Sequence, residues 1–273
     1  MSRRLRLLVA TASVAAVAGA AVPAGASATP VITASGSTSV APLFSLLAKA
    51  YLKQYPGRVK FRLAQGGSDV GVADVAAGRV TIGDSSRDPK ESDPGGIFFN
   101  KIAKDAICVV TNPANPLSNL SQDQIKGIFS GQTRNWDDVP GATSTGSINV
   151  VVRTAASGTQ DAFQKIFLGS VSVFSGASAK ASNGLVQQSV ASDKNAIGYV
   201  SLDFIKGTSP ASYQGVACNL RNAKSGEYGG VRNFWMVTRG RARTGSPLQK
   251  FISWVQNSSR AQKIVGTHWV PLK

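Results

Sequence analysis

Short β-branched runs alternate with amphipathic helical runs along most of this chain, and that alternation constrains the fold more than any other feature of the sequence. Val31 to Ala34 reads as a strand, and a helix follows from Val40 to Gln54 with Val40, Leu43, Phe44, Leu47 and Tyr51 on one face. Pro42 is tolerated there because it falls in the first turn. Val59 to Leu63 is a strand, Asp69 to Ala77 a helix closed by Gly78, and Val80 to Gly83 a further strand. "DAICVVTNP" reads as a buried strand, and "LSQDQIKGIFSG" carries a capping box, Ser121 with Gln124. Ile148 to Val152 is a strand that leads into Arg153 and then into a helix from about Thr159, with Ala162, Phe163, Ile166 and Phe167 at helical spacing. "GLVQQSVAS" reads as a helix, "AIGYVSLDF" and "NFWMVTR" as strands, and "SPLQKFISWVQ" and "SRAQKIVG" as closing helices. Strand and helix in turn predict an α/β architecture.

Three joints between strand and helix share one chemistry. "ASGSTSVAPL" sets Gly36, Ser37, Thr38 and Ser39 before a helix start; "AQGGSDVGV" sets Gly66, Gly67 and Ser68 before the next; "VVRTAASGTQDAF" sets Arg153, Ser157, Gly158 and Thr159 before a third. The first N–H groups of a helix have no intrahelical partner and carry partial positive charge. Hydroxyls add donors, glycine lets the backbone approach closely, and arginine adds full charge, so each corner suits an oxyanion. A serine or glycine at such a place is also an ordinary cap or turn residue, and for one corner alone the two readings stand level. Three corners at the carboxyl ends of strands favour a shared ligand cleft.

The N-terminus has Arg3, Arg4 and Arg6 ahead of an alanine-rich apolar run and two Ala-x-Ala sites ending at Ala26 and Ala28, the pattern of a secretory signal peptide over residues 1–28. The mature chain is therefore expected to be exported, periplasmic or extracellular, and the absence of a cysteine near the cleavage region predicts no lipid anchor. Of the 30 basic residues only those three arginines precede residue 29, and all 14 acidic residues follow it, so 27 against 14 leaves +13 on the mature chain. Such a charge favours anionic partners of any size, from a small oxyanion to a polyanion or a cell surface. The basic residues are scattered and match no nucleic-acid motif, so no nucleic-acid partner is expected. Cys108 and Cys218 are the only cysteines, and an exported chain permits a disulfide between them. About 245 mature residues exceed the commonest single-domain size and suggest two lobes.

The segments "GSTSVAPL" (36–43), "GGSDVG" (66–71), "IGDSSR" (82–87), "NPANPLSNLSQDQIKGIFSGQTRNWDDV" (112–139) and "RTAASGT" (153–159) occur in an order that resembles the phosphate-binding proteins of ATP-binding-cassette phosphate transporters. The resemblance runs over essentially the whole mature chain. It implies a type II periplasmic binding fold: two lobes, each a mixed sheet flanked by helices, with the ligand cleft between them. Lobe 1 would comprise 29–107 plus 233–273, and lobe 2 108–232. It further implies a monomer that binds inorganic phosphate, partners an ABC phosphate permease and is at most peripheral to a membrane.

Carried over by motif, the phosphate contacts implied are Thr38, Ser39, Ser68, Arg153, Ser157, Gly158 and Thr159. Ser86 stands where many members of that family place an aspartate that accepts the proton of phosphate. A Ser-Arg variant resembling this one would make Arg87 a further anion ligand; the alternative is that Arg87 and Asp88 pair with each other or face solvent. An uncharged Ser86 leaves selectivity between phosphate and sulfate open, because a carboxylate there would repel a fully deprotonated anion.

An enzyme is disfavoured on chemistry. Ser157 lies in no G-x-S-x-G elbow, and the sole histidine, His268, sits beside Trp269 far along the chain. One histidine and two distant cysteines do not make a metal site, and no cofactor motif is present.

Overall fold

The computed structural model describes residues 28–272; the expected signal peptide lies outside them but for its last residue. The strands are β1 (Val31–Gly36), β2 (Lys60–Leu63), β3 (Ile82–Ser85), β4 (Ile97–Thr111), β5 (Asn119–Leu120), β6 (Asn149–Arg153), β7 (Ser178–Lys180), β8 (Ala196–Ser201), β9 (Ser209–Pro210), β10 (Ser212–Tyr213) and β11 (Val231–Arg239). The helices are α1 (Ala41–Gln54), α2 (Ser68–Ala76), α3 (Gln122–Ser130), α4 (Gly158–Phe163), α5 (Asn183–Ser192), α6 (Leu220–Ser225), α7 (Pro247–Asn257) and α8 (Ser259–His268). A π-helical turn, Gln164–Leu168, continues α4.

The sheet runs β2-β1-β3-β11-β4-β8-β6-β7, with β9 also on β4. Its two wings are parallel, β1 against β2 and β3, and β6 against β7 and β8. The middle is antiparallel, where β11 lies between β3 and β4 and β4 pairs on to β8. Parallel wings follow from helical crossovers, and their inner strands β3 and β8 are buried along their whole length, whereas the edge strands β2 and β7 keep exposed polar residues.

Two large buried clusters divide the molecule. Ile32, Leu43, Phe44, Leu47, Tyr51, Ile82, Phe234, Phe251 and Trp269 pack in one; Val109, Ile125, Phe129, Val151, Phe163, Phe167 and Tyr199 pack in the other. Along β4 the change of core falls between Ala103 and Ala106, and along β11 between Val231 and Phe234. Ala106 and Ile107 thus pack in the second core, although a boundary read at 107/108 puts them in the first. β4 enters one core and leaves through the other without a loop between, so no turn residue marks the change. "DAICVVTNP" covers only its second half, from Asp105 onward.

Other differences are smaller. β3 starts at Ile82 rather than Val80, and β6 extends one residue to include Arg153. The capping box of α3 forms with both bonds, Gln124 N to Ser121 Oγ at 3.1 Å and Ser121 N to Gln124 Oε1 at 2.7 Å. Cys108 of β4 and Cys218 are joined in a disulfide inside the second core. Among the described residues no helix is long and apolar enough to cross a membrane.

Candidate functional site

The three corners, which follow β1, β2 and β6, converge where the two cores meet, and the end of β3 brings Ser86 to them. In the first corner Ser37 is the structural residue. Its Oγ accepts from the backbone of Ser39 at 3.2 Å and Val40 at 3.4 Å, holding the turn into α1, whose N-cap Val40 has no side-chain cap of its own. That arrangement leaves the hydroxyls of Thr38 and Ser39 free of capping duty, and both are buried.

In the second corner Ser68 is the first residue of α2 and fully buried. Gly67 precedes it with φ of 100°, a conformation that glycine adopts without steric cost, and a Cβ there would lie 2.6 Å from the carbonyl oxygen of Ala156. The second corner therefore sits directly against the third. Ser86, at the end of β3, donates its N–H to Ser68 Oγ at 3.0 Å and accepts from Ser37 Oγ at 2.8 Å.

Ser157 is the N-cap of α4, accepting from Thr159 N at 3.1 Å and Gln160 N at 3.3 Å, and its own O–H proton stays available as a donor. Gly158 is required by proximity: a Cβ would stand 2.3 Å from Ser68 Oγ and 2.8 Å from Ser86 Oγ. Thr159 Oγ1 lies 3.0 Å from Ser39 Oγ, so hydroxyls of the two cores touch across the junction.

Arg153 is held by its surroundings rather than by an acid. Its backbone N–H donates to the Tyr199 hydroxyl at 2.9 Å, its Nε to Lys180 O at 3.1 Å and its Nη2 to Ala181 O at 2.9 Å. The Tyr199 hydroxyl also bonds Gln160 Oε1, and its ring stacks on Phe163 at 3.8 Å between centroids, which ties the end of β6 to α4. The guanidinium is 3% exposed, and no carboxylate pairs with it among the described residues. Burial pulls its pKa down to about 10, with Arg232 pushing the same way.

Thr38, Ser39, Ser68, Ser86, Arg153, Ser157, Gly158 and Thr159 are thus all brought to one buried cluster. Arg87 is not. Its guanidinium turns away from the cluster, Nε donating to Asp69 at 2.6 Å and Nη1 and Nη2 to Asp93 at 2.9 and 2.6 Å. The reading of Arg87 as a further anion ligand is therefore corrected. The chain bends at Ser86 and Arg87 beyond the end of β3, and two carboxylates satisfy the Arg87 guanidinium.

The structure also supplies residues that sequence reasoning passed over. Arg232 on β11 donates from Nη1 to Thr159 Oγ1 and from Nη2 to Ser39 Oγ, both at 2.8 Å. Its partner is Asp105, directly opposite in the β4–β11 register, at 3.1 Å from Nε and 2.9 Å from Nη2. Burial pushes the Asp105 carboxyl up while Arg232 holds it down, and burial pulls Arg232 down against the pull of Asp105. Asn183, the first residue of α5, donates to Ser39 Oγ at 2.8 Å and Thr38 Oγ1 at 3.1 Å. The available signal was one opposite charge at the start of each of two apolar strand runs. Their pairing, however, depends on a register that neither segment encodes alone.

Two guanidinium groups and one carboxylate leave a buried surplus of positive charge. The surplus is surrounded by hydroxyl donors and lies at the starts of α2 and α4. Asp84 lies deeper in β3 with both oxygens buried and unpartnered among the described residues, and burial pushes its pKa well above the usual carboxylate range. It brings no compensating charge to the cluster while protonated. The arrangement suits a small tetrahedral anion.

The chain matches the PBP superfamily domain over residues 21–259. It is 28% identical over 239 residues to the phosphate-binding protein PstS of Bacillus subtilis, covering 86% of this chain and 78% of that one. A candidate phosphate ABC transporter substrate-binding protein from Clostridium perfringens, solved with bound phosphate, superposes with a TM-score of 0.82 at 31% identity, over 89% of this chain and all (100%) of the other. An ABC-type phosphate transport receptor from Vibrio cholerae gives a TM-score of 0.70 at 27% identity, over 88% of this chain and 99% of that one. With this fold, this coverage and an oxyanion-suited cluster between its cores, the chain belongs to the PBP superfamily, among the substrate-binding proteins of ABC phosphate transporters.

Proposed function

We propose that this protein is exported, captures inorganic phosphate in the buried cluster between its two cores, and delivers it to an ABC-type phosphate permease. The observation that carries the reading is Arg153, a buried guanidinium whose charge no carboxylate answers among the described residues. Thr38, Ser39, Ser68, Ser86, Ser157 and Thr159 supply hydroxyls, Gly158 admits the ligand close to the backbone, and Arg232 supplies the second guanidinium. The two cores act as lobes that meet on the ligand, with β4 and β11 as the connection. The role is binding rather than catalysis.

A second reading, capture of another oxyanion such as sulfate, draws support from Ser86, which is uncharged where many relatives of this kind place an acid. Surface binding of polyanions rests on the charge of +13 for the mature chain and requires affinity that falls steeply with salt, unlike a buried small-anion site.

Calorimetric titration with phosphate, sulfate and molybdate at two pH values decides among these. Saturable phosphate binding is expected, weakened roughly tenfold to a hundredfold or more in Arg153→Ala, because a charge-assisted hydrogen bond contributes about 1.5–3 kcal/mol. The circular dichroism of that variant should match the parent. Unchanged affinity in Arg153→Ala would sink the assignment, and a preference for sulfate would replace the ligand.

A further inference from the structure

The segment after Ser86 carries a set of charges that the anion cluster does not use. Arg87 is 3% exposed and locked between Asp69 and Asp93. Asp93 Oδ2 also accepts the backbone N–H of Lys90 at 2.8 Å, and Asp93 N returns to Lys90 O at 3.1 Å, closing a tight turn over residues 90–93. From that turn Lys90 Nζ reaches Asp161 Oδ1 at 2.9 Å, and it lies 3.7 Å from Asp69 Oδ1. Asp161 Oδ2 is 3.2 Å from Lys165 Nζ on the same helix.

The two ends of this contact belong to different halves of the molecule. Lys90 follows β3, whose Ile82 packs in the first core, and Asp161 lies in the first turn of α4, whose Ala162 and Phe163 pack in the second. A carboxylate in the first turn favours the helix. It also opposes any anion held at the same N-terminus, where Ser157, Gly158 and Thr159 lie, and an ammonium from the opposite side cancels that opposition. Lys90 can do so only when the two cores are together.

We propose that Lys90 and Asp161 form a charge clasp across the cleft that prolongs residence of the bound anion. Arg87, Asp69 and Asp93 are the positioning residues that hold Lys90 over Asp161. The clasp rests on the reading of the cleft as a phosphate site. It also gives Arg87 a role that direct ligation does not.

The test is a double-mutant cycle of Lys90→Met and Asp161→Asn, read by phosphate affinity and stopped-flow release. It is run beside nitroxide distance measurements between Leu46→Cys and Leu185→Cys, exposed positions (44% and 45%) on the helices α1 and α5. Lys90→Met should weaken phosphate binding about twofold to fivefold, mainly through faster release, as befits a partly exposed pair. In the Asp161→Asn background the same change should do little. Lys90→Met should also shift the label distances toward longer values. Equal penalties for Lys90→Met in both backgrounds would mean that Lys90 acts on the anion by charge alone; that result, or an unchanged distance distribution, overturns the clasp. Failure of the parent protein to bind phosphate would instead sink the phosphate reading, and the distance series, measured without ligand, would then decide the clasp alone.

Discussion

At the residue scale, the chain spends buried polar groups in two different ways. Ser37, Ser157 and Tyr199 are buried and hydrogen-bonded, and they hold turns and strand ends in place. Asp84 is buried and engaged with nothing among the described residues, a costly state for a carboxylate. Because its folded pKa lies above the unfolded value, its contribution is most favourable below the unfolded pKa and is lost as pH rises toward the folded one. Asp84→Asn keeps the shape and removes the titration. The variant is expected to be more stable than the parent at pH 7, with a flatter dependence of stability on pH above about 4, the ordinary Asp range. Urea unfolding across pH checks this, and a parent curve flat above that range would show that Asp84 is not the titrating group. Among the site residues, the hydroxyl corners and Arg153 were legible in sequence because glycine, serine and arginine at a strand end have local reasons to be there. The partners of Arg87 are not legible in the same way, because Asp69 comes from α2 and Asp93 is brought within reach only by the turn over residues 90–93.

At the element scale, the antiparallel crossing of β4 and β11 does more than join the cores. It places Asp105 opposite Arg232, so the strands that connect the two halves also deliver the second guanidinium to Ser39 and Thr159. Ser201 of β8 completes the pair, donating to Asp105 Oδ1 at 2.9 Å. Removing one partner of a buried pair leaves the other uncompensated, at a cost of about 3–5 kcal/mol. Arg232→Met should therefore lose both stability of that order and phosphate affinity, whereas Arg153→Ala, with no carboxylate to abandon, should lose affinity alone. Chemical denaturation and calorimetry on both variants separate the two effects, and an Arg232→Met protein of parental stability would contradict the pairing argument. Apart from α6, which has no counterpart in the sequence reading, helix positions were legible within a residue or two because caps such as Ser121 and Ser157 act locally. The length of β4 was not, since "IFFNKIAK" is neither alternating nor uniformly apolar, and only its neighbours β11 and β8 make it a strand.

At the scale of the whole molecule, the second core carries a covalent tie that the first lacks among the described residues. The disulfide spans 110 residues and closes nearly the entire second half of the fold into one loop. Loop-closure entropy for such a span corresponds to about 4–5 kcal/mol, with measured values spread widely below that. Replacing Cys108 and Cys218 with alanine should lower unfolding stability by about 2–5 kcal/mol while leaving phosphate affinity near the parent value, because the bond packs among apolar side chains of the second core rather than among the hydroxyls and guanidinium groups. Urea titration beside calorimetry tests both halves of the statement, and a large loss of affinity in the alanine variant would show that the bond shapes the cleft. The fold class followed from strand and helix alternating in sequence, and the family from segments in order along nearly the whole chain. Local chemistry determined these: caps, turns and apolar periods act over a few residues, and the three oxyanion corners are each complete within about ten. What only the tertiary structure decided was what faces what. It set Arg232 against Asp105, Arg87 between Asp69 and Asp93, and Lys90 across from Asp161, because electrostatic partners are chosen by distance in space, which sheet register fixes for the first pair and the packing of loops and helices for the others.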